Sequence, residues 1–467
     1  MKRDEVSGRR VVVFGAALSG ISAARLLAHA GAKVVVIDQK RAEDVAEQAT
    51  QLAALGIPTE WGTEASSRAI ASAEILVKSP GIPQTNPLIV AAREQRVRIV
   101  SEIEVAAAFL PHRSKLVAVT GTNGKTTTTA WIAHLLSTAG FHAIACANIG
   151  HPFSEAVFHA LVQPTDTTVP PIFVAEVSSF QLEDIEEFHP SVAVLTNLAP
   201  DHLDRYPTYH EYVAAKENLL RNMQPSDAFV WNADNPDSAS FAPRTPVRRY
   251  PFSASACPAS GGAGIAGDWL TLETDDVGTI RLVRKNELPL PGRHNQENAL
   301  AAALAAFLAG ASIDSIREGL RTFRGVEHRI EFCGERQGVR FYNDSKATNL
   351  DSLEKALLSF TAPIVLIAGG RDKKSDYASL TPLIRERVKA LITLGEAAPL
   401  IEDAWSRWVP SERARTMEEA VQRAAQLAQA GDVVLLSPAC ASYDMYRNFE
   451  ERGRHFKECV RTLLEKN

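Results

Sequence analysis

One short segment constrains the fold and function of this chain more than any other. Thr120–Thr127 has the sequence TGTNGKTT and directly follows the apolar run Leu116–Val119. A strand that ends in a glycine-rich loop and opens into a helix directs backbone N–H groups, one lysine and one hydroxyl toward a single point. That arrangement suits the phosphates of a nucleotide with bound Mg²⁺. The segment therefore predicts an ATP-binding enzyme.

Each residue type in this loop has a distinct expected role. The glycines let the backbone approach phosphate oxygens, because a Cβ would hold it away. We expect Lys125 to neutralise the β- and γ-phosphates, and the hydroxyl of Thr126 or Thr127 to contact the metal. Val119 stands where the general phosphate-loop pattern has glycine, so we interpret the loop as a shortened variant. The predicted ATP-binding residues in the loop are Gly121, Thr122, Asn123, Gly124, Lys125, Thr126 and Thr127.

Composition narrows the class of protein. A chain of 467 residues is too long for one core, so roughly two to four domains are expected. The chain has a net charge of −5, which gives no sign of the basic surface that is typical of nucleic-acid-binding proteins. The five cysteines are scattered without a Cys-x-x-Cys pair, which indicates reduced thiols in a cytosol and argues against a disulfide framework or a zinc knuckle. No apolar run reaches about 18 residues, so we expect a cytoplasmic protein without membrane insertion.

Three blocks of alternating apolar strands and helices follow one another along the chain. Their strands are largely uninterrupted apolar runs, which are typical of parallel sheets covered on both faces. The predicted fold is therefore α/β with three domains, each with a mostly parallel sheet covered by helices, and with boundaries near residues 103 and 325. Pro164–Pro171 and Ser253–Gly267 have the composition of surface loops.

The first block contains a weaker phosphate-binding signal. Gly15–Gly20 has the spacing G-x-G-x-x-G without its middle glycine, since Ala17 stands there, and Asp38 ends the next strand. A helix N-terminus at this point could hold the pyrophosphate of NAD or of a UDP-sugar, with the acid on a ribose. A purely structural strand-turn-helix is the alternative. Ser79 in Lys78–Gly81 is a second possible contact, although the segment could be only a turn.

The middle block places polar side chains at the ends of two predicted strands. Glu176 ends one of them, which is where a Mg²⁺ ligand belongs in a phosphate-loop domain. His202 follows the next strand and stands between Asp201 and Asp204, which favours a role in a site. Lys216 lies on a predicted helix, His210–Arg221, and by itself a helical lysine is usually a solvated charge.

These segments resemble the central domain of the Mur ligase family, whose ATP-dependent members join amino acids to the peptidoglycan precursor. The resemblance continues through both other blocks, and its last two segments are the most specific. The matching segments are Gly121–Thr127, Glu176–Gln181, Asn197–Arg205, Lys216, His294–Asn298, His328–Arg329, Asn343–Asn349, Ser437–Asp444 and Asn448–Gly453.

The resemblance implies three domains and a reaction. It implies a Rossmann-like N-terminal domain at 1–103 that binds a UDP-linked precursor, a central P-loop ATPase-like domain at 104–325, and a Rossmann-like C-terminal domain at 326–467 that binds the amino acid. The expected reaction is addition of D-glutamate to UDP-N-acetylmuramoyl-L-alanine through an acyl phosphate. This is a cytoplasmic step of peptidoglycan synthesis, and thus of cell-wall biogenesis and cell division. We expect a monomer.

The resemblance also implies roles for individual residues. Lys125, His202, Lys216 and Arg329 would be catalytic. Two Mg²⁺ ions are expected, one on Thr126 or Thr127 with Glu176, the other on Glu176, His202 and a carbamylated Lys216. Additional ATP contacts would come from Asn295, Arg329 and Asp344. The precursor would bind Leu18, Ser19, Asp38, Ser79, Asn148 and His202, and D-glutamate would bind Lys346, Thr348, Lys373, Ser442, Tyr443 and Phe449.

The sequence departs from the family pattern at two positions, and other functions can be weighed against that of a Mur ligase. Ala17 replaces a glycine, and Gln39 stands where family members often have a hydroxyl residue, so the uridine contacts stay open. An NAD-dependent oxidoreductase would leave Lys125, Glu176 and His202 without a role. A catalytically idle nucleotide-binding scaffold is disfavoured because the expected site positions are filled. A folate-polyglutamate ligase would lack the first block, and a diaminopimelate or lysine ligase would be expected to show an Asn-Pro-Arg-type motif, which we do not find.

Overall fold

The computed structural model describes residues 1–163, 169–203, 205–241, 246–258, 261–274, 278–372 and 375–465. In this part of the chain three sheets form, each mostly parallel, so the predicted α/β class is confirmed. The chain divides into two compact units: Met1–Glu287 with Glu297–Arg321, and Leu288–Gln296 with Thr322–Asn467. The domain boundaries near 103 and 325 stay predictions. None of the described helices combines the length and apolar character needed to cross a bilayer.

The first sheet has five parallel strands in the order β3-β2-β1-β4-β5. The β-branched run of β1 pairs with β2 on one side and β4 on the other, so their carboxyl ends meet at the point where the strand order reverses. Ligands bind at such a point in open α/β sheets. The elements are β1 Arg10–Phe14, α1 Leu18–His29, β2 Lys33–Asp38, α2 Ala46–Ala54, β3 Thr59–Trp61, α3 Thr63–Ala71, β4 Ile75–Lys78, α4 Pro87–Glu94, β5 Arg98–Ser101 and α5 Glu102–Ala108.

The second sheet has nine strands in the order β14-β13-β12-β11-β10-β9-β6-β8-β7. Its strands from β7 to β12 pair in parallel, while β13 and β14 are antiparallel. The elements are β6 Lys115–Thr120, α6 Lys125–Thr138, β7 Ala143–Ala147, α7 Phe153–Val162, β8 Ile172–Glu176, α8 Ser179–Leu182, β9 Val192–Leu195, α9 Tyr209–Glu217, β10 Ala228–Asn232, α10 Pro236–Phe241, β11 Arg248–Ser253, β12 Gly262–Ala266, β13 Trp269–Thr274, β14 Gly278–Arg284, α11 Arg293–Ala309 and α12 Ile313–Thr322.

The interpretation of Ser253–Gly267 as a surface loop is wrong, because β12 lies inside it. This strand is built from small residues. A Cβ on Gly262 would collide with the backbone of Pro251, and a Cβ on Gly264 would meet the backbone of Ala256. Close approach of neighbouring backbones therefore replaces the bulky alternation by which a strand is normally recognised. Of the other predicted loop, residues 164–168 lie outside the described part of the chain.

The third sheet lies in the second unit and has the order β15-β16-β20-β17-β18-β19. All pairs are parallel except β15 with β16. Helices on both faces cover its apolar strands, which form two layers of core. The elements are β15 Glu331–Arg336, β16 Val339–Asn343, α13 Leu350–Leu358, β17 Ile364–Gly369, α14 Thr381–Arg387, β18 Val388–Leu394, α15 Ala398–Trp405, β19 Ser411–Arg413, α16 Met417–Leu427, β20 Val433–Leu436 and α17 Phe449–Glu465.

A fully buried glutamate joins α5 to the start of α7. Glu102 Oε1 accepts a hydrogen bond of 2.6 Å from the backbone N–H of Ser154, in the first turn of α7. Its other oxygen, Oε2, is buried and has no hydrogen-bond partner among the described residues. Burial raises the pKa of Glu102 to about 7, although hydrogen bonds from Ser154 and Phe153 act in the opposite direction. The uncharged form is therefore the one that this position favours.

Glu102→Gln is expected to change the pH dependence of stability. Because the pKa of Glu102 is raised in the folded state, its contribution is fully present below about pH 4.5 and is lost as pH rises through about 7, a change on the order of 3 kcal/mol. Glutamine keeps the Oε1 acceptor and does not ionise, so the variant should match the wild type near pH 4 and exceed it at pH 8. Denaturant unfolding across this range measures the difference.

An exposed glutamate provides the matched control. Glu187 lies in the same unit with an exposed side chain, so Glu187→Gln should follow the wild-type pH profile. Equal stability of Glu102→Gln and the wild type at pH 8 would contradict the prediction.

Candidate active site

The phosphate loop is held in place by the end of the neighbouring strand. The loop joins β6 to α6, and Gly124 precedes the helix in the left-handed conformation. The backbone N–H of Asn123 donates to Asn197 Oδ1 at 2.9 Å, and Asn197 Nδ2 donates to Asn123 O at 3.1 Å. The Thr122 N–H donates to Asn197 O at 2.9 Å. Asn197 therefore fixes the loop shape before any nucleotide binds, a role that the sequence alone did not assign.

Two loop glycines are required by protein neighbours. A Cβ on Gly121 would collide with Thr196 Oγ1, and a Cβ on Gly124 would collide with Asn298 Oδ1. Asn298 Oδ1 also accepts a hydrogen bond of 3.2 Å from Thr128 Oγ1. Thr126 and Thr127, at the start of α6, are both buried. Glycine at these two positions is therefore required for packing within the first unit. The close approach of phosphate that the sequence predicts is a second reason for glycine.

Two lysines bind backbone carbonyls of the same loop. Lys125 Nζ donates to Thr122 O at 2.8 Å, and Lys216 Nζ donates to Gly121 O at 2.9 Å. Lys216 is buried and lies over the ring of Tyr212 at 4.7 Å. Burial and, second, the charge of Lys125 hold the pKa of Lys216 well below its usual range. The surroundings of Lys216 therefore disfavour its charged form, unlike those of the solvated lysine that is usual on a helix. Its helix ends at Glu217, earlier than predicted, and continues as a 3₁₀ turn at Asn218–Leu220.

Glu176 offers one free carboxylate oxygen next to the phosphate loop. It ends β8, and the strand register pairs it with Val119, directly before the loop. Oε1 accepts a hydrogen bond of 2.7 Å from Asn148 Nδ2, whereas Oε2 is buried without a hydrogen-bond partner in the described residues. A buried carboxylate oxygen without a donor is costly unless a cation binds it. The residues present therefore fit a Mg²⁺ ion, which prefers oxygen ligands.

His202 lies in an aromatic cluster beside these groups. Its backbone is left-handed, with φ of 54°, and its N–H donates to Asp201 Oδ1 at 2.9 Å. The imidazole lies 4.8 Å from the Phe180 ring and 6.1 Å from the Tyr212 ring. Tyr212 in turn shares a hydrogen bond of 3.0 Å with Thr122 Oγ1. The structure thus brings His202 and Lys216 close to the same tyrosine, which contacts the phosphate loop. Asp204, the other acid beside His202, lies outside the described residues.

Arg205, which has no predicted role, connects this cluster to the segment that follows β4 of the first sheet. Its Nη1 donates to Pro80 O at 2.7 Å and its Nη2 to Ile82 O at 3.1 Å. Its guanidinium lies over the ring of Phe180 at 3.8 Å. Arg205 therefore positions the loop that follows Ser79 relative to the aromatic ring that contacts His202. The targets are backbone carbonyls, so the only signal in the sequence is the closeness of Arg205 to His202.

A buried ion-pair network supports the same connection. Lys78 is almost fully buried and lies 3.3 Å from Glu183 Oε2 and 3.1 Å from Asp184 Oδ2. Arg205 Nη2 lies 3.3 Å from the same Glu183 oxygen. Buried charges of this kind require partners with good geometry. We infer that Lys78 has a structural role at this junction, next to the predicted precursor contact at Ser79.

The polar residues of the first sheet meet where β1 ends. Asp38 Oδ2 accepts a hydrogen bond of 3.0 Å from the Ala16 N–H, and Oδ1 accepts another of 3.0 Å from the Lys40 N–H. Ser79 Oγ donates to Gly15 O at 3.3 Å. The other two predicted precursor contacts, Leu18 and Ser19, begin α1 at the same edge, and the Leu18 side chain is 65% exposed. The structure brings these four predicted residues together, and their binding role stays a prediction.

The second unit contains the remaining predicted ATP contacts. Asp344 follows β16, where its Oδ2 accepts a hydrogen bond of 2.8 Å from Ser437 Oγ and its Oδ1 one of 3.2 Å from the Ile330 N–H. Burial raises the pKa of Asp344 to about 7.

Arg329 lies between His328 and Ile330, which both have positive φ. Its Nε is buried without a hydrogen-bond partner in the described chain. Such strained backbone often accompanies functional positions. The third predicted contact of this unit, Asn295, donates to Pro291 O at 2.7 Å.

The predicted amino-acid contacts that the structure describes lie in three segments of the second unit: after β16, after β20 and at the start of α17. Lys346 Nζ lies 5.8 Å from the centre of the Phe449 ring, and the Thr348 N–H donates to Lys346 O at 2.9 Å. Ser442 is buried, whereas the side chain of Tyr443 is 64% exposed. Lys373 lies outside the described residues.

One buried arginine ties these segments together. Arg452 Nε and Nη2 donate to Ser345 Oγ and O, both at 2.9 Å, and Nη1 donates to Cys440 O at 3.1 Å and to Ala441 O at 3.4 Å. The segment before Lys346 and the segment before Ser442 therefore share one set of donors. Arg452 lies within the matching segment Asn448–Gly453, but this role leaves no pattern in the sequence because its partners are mostly backbone carbonyls.

Comparison with known proteins identifies the family. Three family models match the chain: the Mur ligase MurD-like N-terminal domain at 9–101, the Mur ligase middle domain at 119–306 and the Mur ligase glutamate ligase domain at 328–440. The UDP-N-acetylmuramoylalanine--D-glutamate ligase of Salinibacter ruber is 44% identical over 475 residues, covering 99% of this chain and 100% of that protein. The chain belongs to the Mur ligase family. A protein of the same name from Acidobacterium capsulatum is 42% identical, covering 98% and 97% of the two chains.

Solved structures of Mur ligases have the same fold. The UDP-N-acetylmuramate-alanine ligase of Thermotoga maritima aligns with a TM-score of 0.59 at 20% identity, covering 97% of this chain and 100% of that one. MurF of Acinetobacter baumannii aligns with a TM-score of 0.58 at 16% identity, covering 98% and 93%. At this identity the likeness concerns the fold alone. The predicted membership in the Mur ligase family is confirmed, and the chain is an ATP-dependent ligase.

Proposed function

We propose that this Mur ligase joins D-glutamate to UDP-N-acetylmuramoyl-L-alanine, with release of ADP and phosphate. The observation that carries the proposal is near full-length identity of 44% and 42% to proteins named for that reaction. The structure supports it with a phosphate loop that is already shaped by Asn197 and with a cation-ready oxygen on Glu176 beside it. The enzyme would act in the cytoplasm as a monomer, and all five of its cysteines are free.

The reaction begins with activation of a carboxylate. An oxygen of the precursor's alanine carboxylate attacks the γ-phosphorus of ATP, which forms an acyl phosphate and releases ADP. The amine of D-glutamate then attacks the acyl carbon, loses a proton, and expels phosphate to leave an amide. No nucleophilic side chain is required, so the protein must position two anions and stabilise the charge between them.

The residues of the first unit would share this work. Lys125 and the loop N–H groups would hold the phosphates, and Asn148 and His202 would hold the precursor near them. Mg²⁺, when bound, would neutralise phosphate charge; we propose Thr126 or Thr127 with Glu176 as ligands of one ion. Glu176, His202 and a carbamylated Lys216 would hold a second.

Carbamylation would resolve a conflict at Lys216. An ammonium repels a metal ion, but a neutral amine attacks the carbon of CO₂, forms a C–N bond and, after losing a proton, becomes an anionic oxygen ligand. Burial and Lys125 already lower the pKa of Lys216, and Tyr212 orients its chain. The lowered pKa and the position of the Lys216 side chain both support carbamylation.

Residues of the second unit would supply the remaining contacts. We propose that Asn295, Arg329 and Asp344 contact ATP, where the Arg329 guanidinium can stabilise charge on the transferred phosphoryl group. D-Glutamate would bind Lys346, Thr348, Lys373, Ser442, Tyr443 and Phe449. Two lysines suit a dicarboxylic amino acid, since a desolvated carboxylate requires a cationic or donor partner.

The test is phosphate release from ATP and Mg²⁺ with UDP-N-acetylmuramoyl-L-alanine, to which D-glutamate, L-glutamate, L-lysine or meso-diaminopimelate is added separately. We expect release with D-glutamate alone. Release with a different amino acid would overturn the assigned substrate while leaving the reaction type. A Lys125→Met sample purified in parallel controls for contaminating phosphatases, because the proposed site requires that lysine.

A further inference from the structure

Helices α16 and α17 of the second unit bring together three metal-binding side chains that have no assigned part in the ligase reaction. His455 and Cys459 are one helical turn apart, so both point to the same side of α17. Glu418 lies in the first turn of α16. One ligand atom from each of the three lies within 4.8 Å of the others. They line a cleft of about 290 Å³ together with Val421, Gln422, Glu458, Thr462 and Leu463.

We propose that Glu418, His455 and Cys459 form a binding site for a divalent transition-metal ion, with Zn²⁺ as the best-suited ion. An imidazole, a thiol and a carboxylate make a mixed N, S and O donor set, which suits Zn²⁺ and does not suit Mg²⁺. Ligand atoms in a tetrahedral zinc site lie about 2.0–2.3 Å from the ion, so two of them are at most about 4.6 Å apart. The three ligand atoms here lie within 4.8 Å of one another, which is close to that separation. Three protein ligands leave the fourth position to water.

The surroundings of His455 favour this assignment. Its Nδ1 shares a hydrogen bond of 2.9 Å with the Tyr446 hydroxyl, while its Nε2 lies 2.8 Å from Glu418 Oε1. Metal-binding histidines commonly use their second nitrogen in a hydrogen bond that fixes the ring. Tyr446 supplies that bond and leaves Nε2 directed into the cluster. The carboxylate of Glu458, which also lines the cleft, adds negative charge near the proposed cation.

In a second cluster of one histidine and two carboxylates, other side chains already contact the potential metal ligands. Glu327, His328 and Glu331 also lie close together. There Lys457 Nζ lies 3.0 Å from Glu327 Oε1 and 2.6 Å from Glu331 Oε1. His328 Nδ1 lies within hydrogen-bond distance, 2.9 Å, of Asn343 Nδ2. A protein cation already neutralises those carboxylates. Among the residues that the structure describes, no lysine or arginine lines the cleft between α16 and α17.

Cobalt provides a direct test, because a thiolate bound to Co²⁺ gives a charge-transfer absorption that requires the cysteine. The full chain, treated with chelator and held in excess Mg²⁺, is titrated with Co²⁺ and then with Zn²⁺. We expect one Co²⁺ per chain with a thiolate band that Zn²⁺ abolishes. Cys459→Ser should remove the band, and Tyr446→Phe should weaken Zn²⁺ binding by about 10-fold.

Cys333→Ser is the matched control, because this partly buried cysteine belongs to the same unit but not to the cluster; it should keep the band. Thermal unfolding gives a second readout: Zn²⁺ should raise the melting temperature of the wild type and of Cys333→Ser, but not of Cys459→Ser. All variants should unfold like the wild type in chelator. Absence of a thiolate band in the wild type, or its persistence in Cys459→Ser, would overturn the proposal.

Discussion

Lys216→Ala is expected to lower the rate of phosphate release with D-glutamate by roughly 10²–10³-fold, the scale on which loss of one charge-stabilising group slows an enzyme. The reason lies in where this lysine is held. Its side chain is buried, donates to Gly121 O of the phosphate loop and lies over Tyr212. If Lys216 is carbamylated, the ammonium group gives way to an anionic carbamate. The carbamate oxygens can then bind a metal ion at that point. Alanine removes both the anion and the atoms that carry it.

The same variant distinguishes a carbamate from a simple cation. The cavity left by Lys216→Ala is next to the phosphate loop, so formate or acetate should enter it, supply the missing carboxylate oxygens and restore part of the rate. Lys125→Ala is the matched control: it loses a positive charge in the same loop, and a small carboxylate should not restore it. Steady-state assays with increasing carboxylate measure both. Undiminished activity of Lys216→Ala, or equal rescue of the two variants, would contradict the carbamate.

The parts of this molecule that follow local rules could be predicted from its sequence. Apolar β-branched runs such as Val11–Val13 make buried parallel strands wherever they occur, because both faces of the sheet are covered. The phosphate loop was recognisable because glycines, a lysine and threonines must occur at fixed spacing between a strand and a helix. Glu176 was predicted for the same reason, since strand ends in such sheets meet at one edge.

What escaped prediction depends on contacts between distant segments. Asn197, Arg205 and Arg452 bind mostly to backbone carbonyls or N–H groups, which occur all along the chain and therefore leave no pattern. The strand at Gly262–Ala266 was missed because it is stabilised by close backbone approach and not by bulky side chains. The burial of Lys216 likewise depends on the phosphate loop, a distant segment whose Gly121 carbonyl accepts a hydrogen bond from the lysine.

Arg452→Met is expected to lower the free energy of unfolding of the second unit by on the order of 3–5 kcal/mol. Methionine fills much of the same volume but cannot donate, so the carbonyls of Ser345, Cys440 and Ala441 lose buried partners. Burial lowers the pKa of Arg452 to about 10, which still leaves the side chain charged at neutral pH. Arg454→Met is the matched control, because Arg454 is exposed on the same helix. Thermal and denaturant unfolding of the two variants measure the difference.

Kinetics separate positioning of the amino acid from general destabilisation. Because Arg452 joins the segment before Lys346 to the segment before Ser442, its loss should move the predicted D-glutamate contacts apart. At a temperature where the variant remains folded, KM for D-glutamate should rise more than KM for ATP. Arg452→Lys keeps the charge but not the planar fork of donors, so it should fall between the wild type and Arg452→Met. Equal stability of Arg452→Met and Arg454→Met would show that these buried hydrogen bonds do not hold the segments together, and equal changes in both KM values would restrict Arg452 to a general structural role.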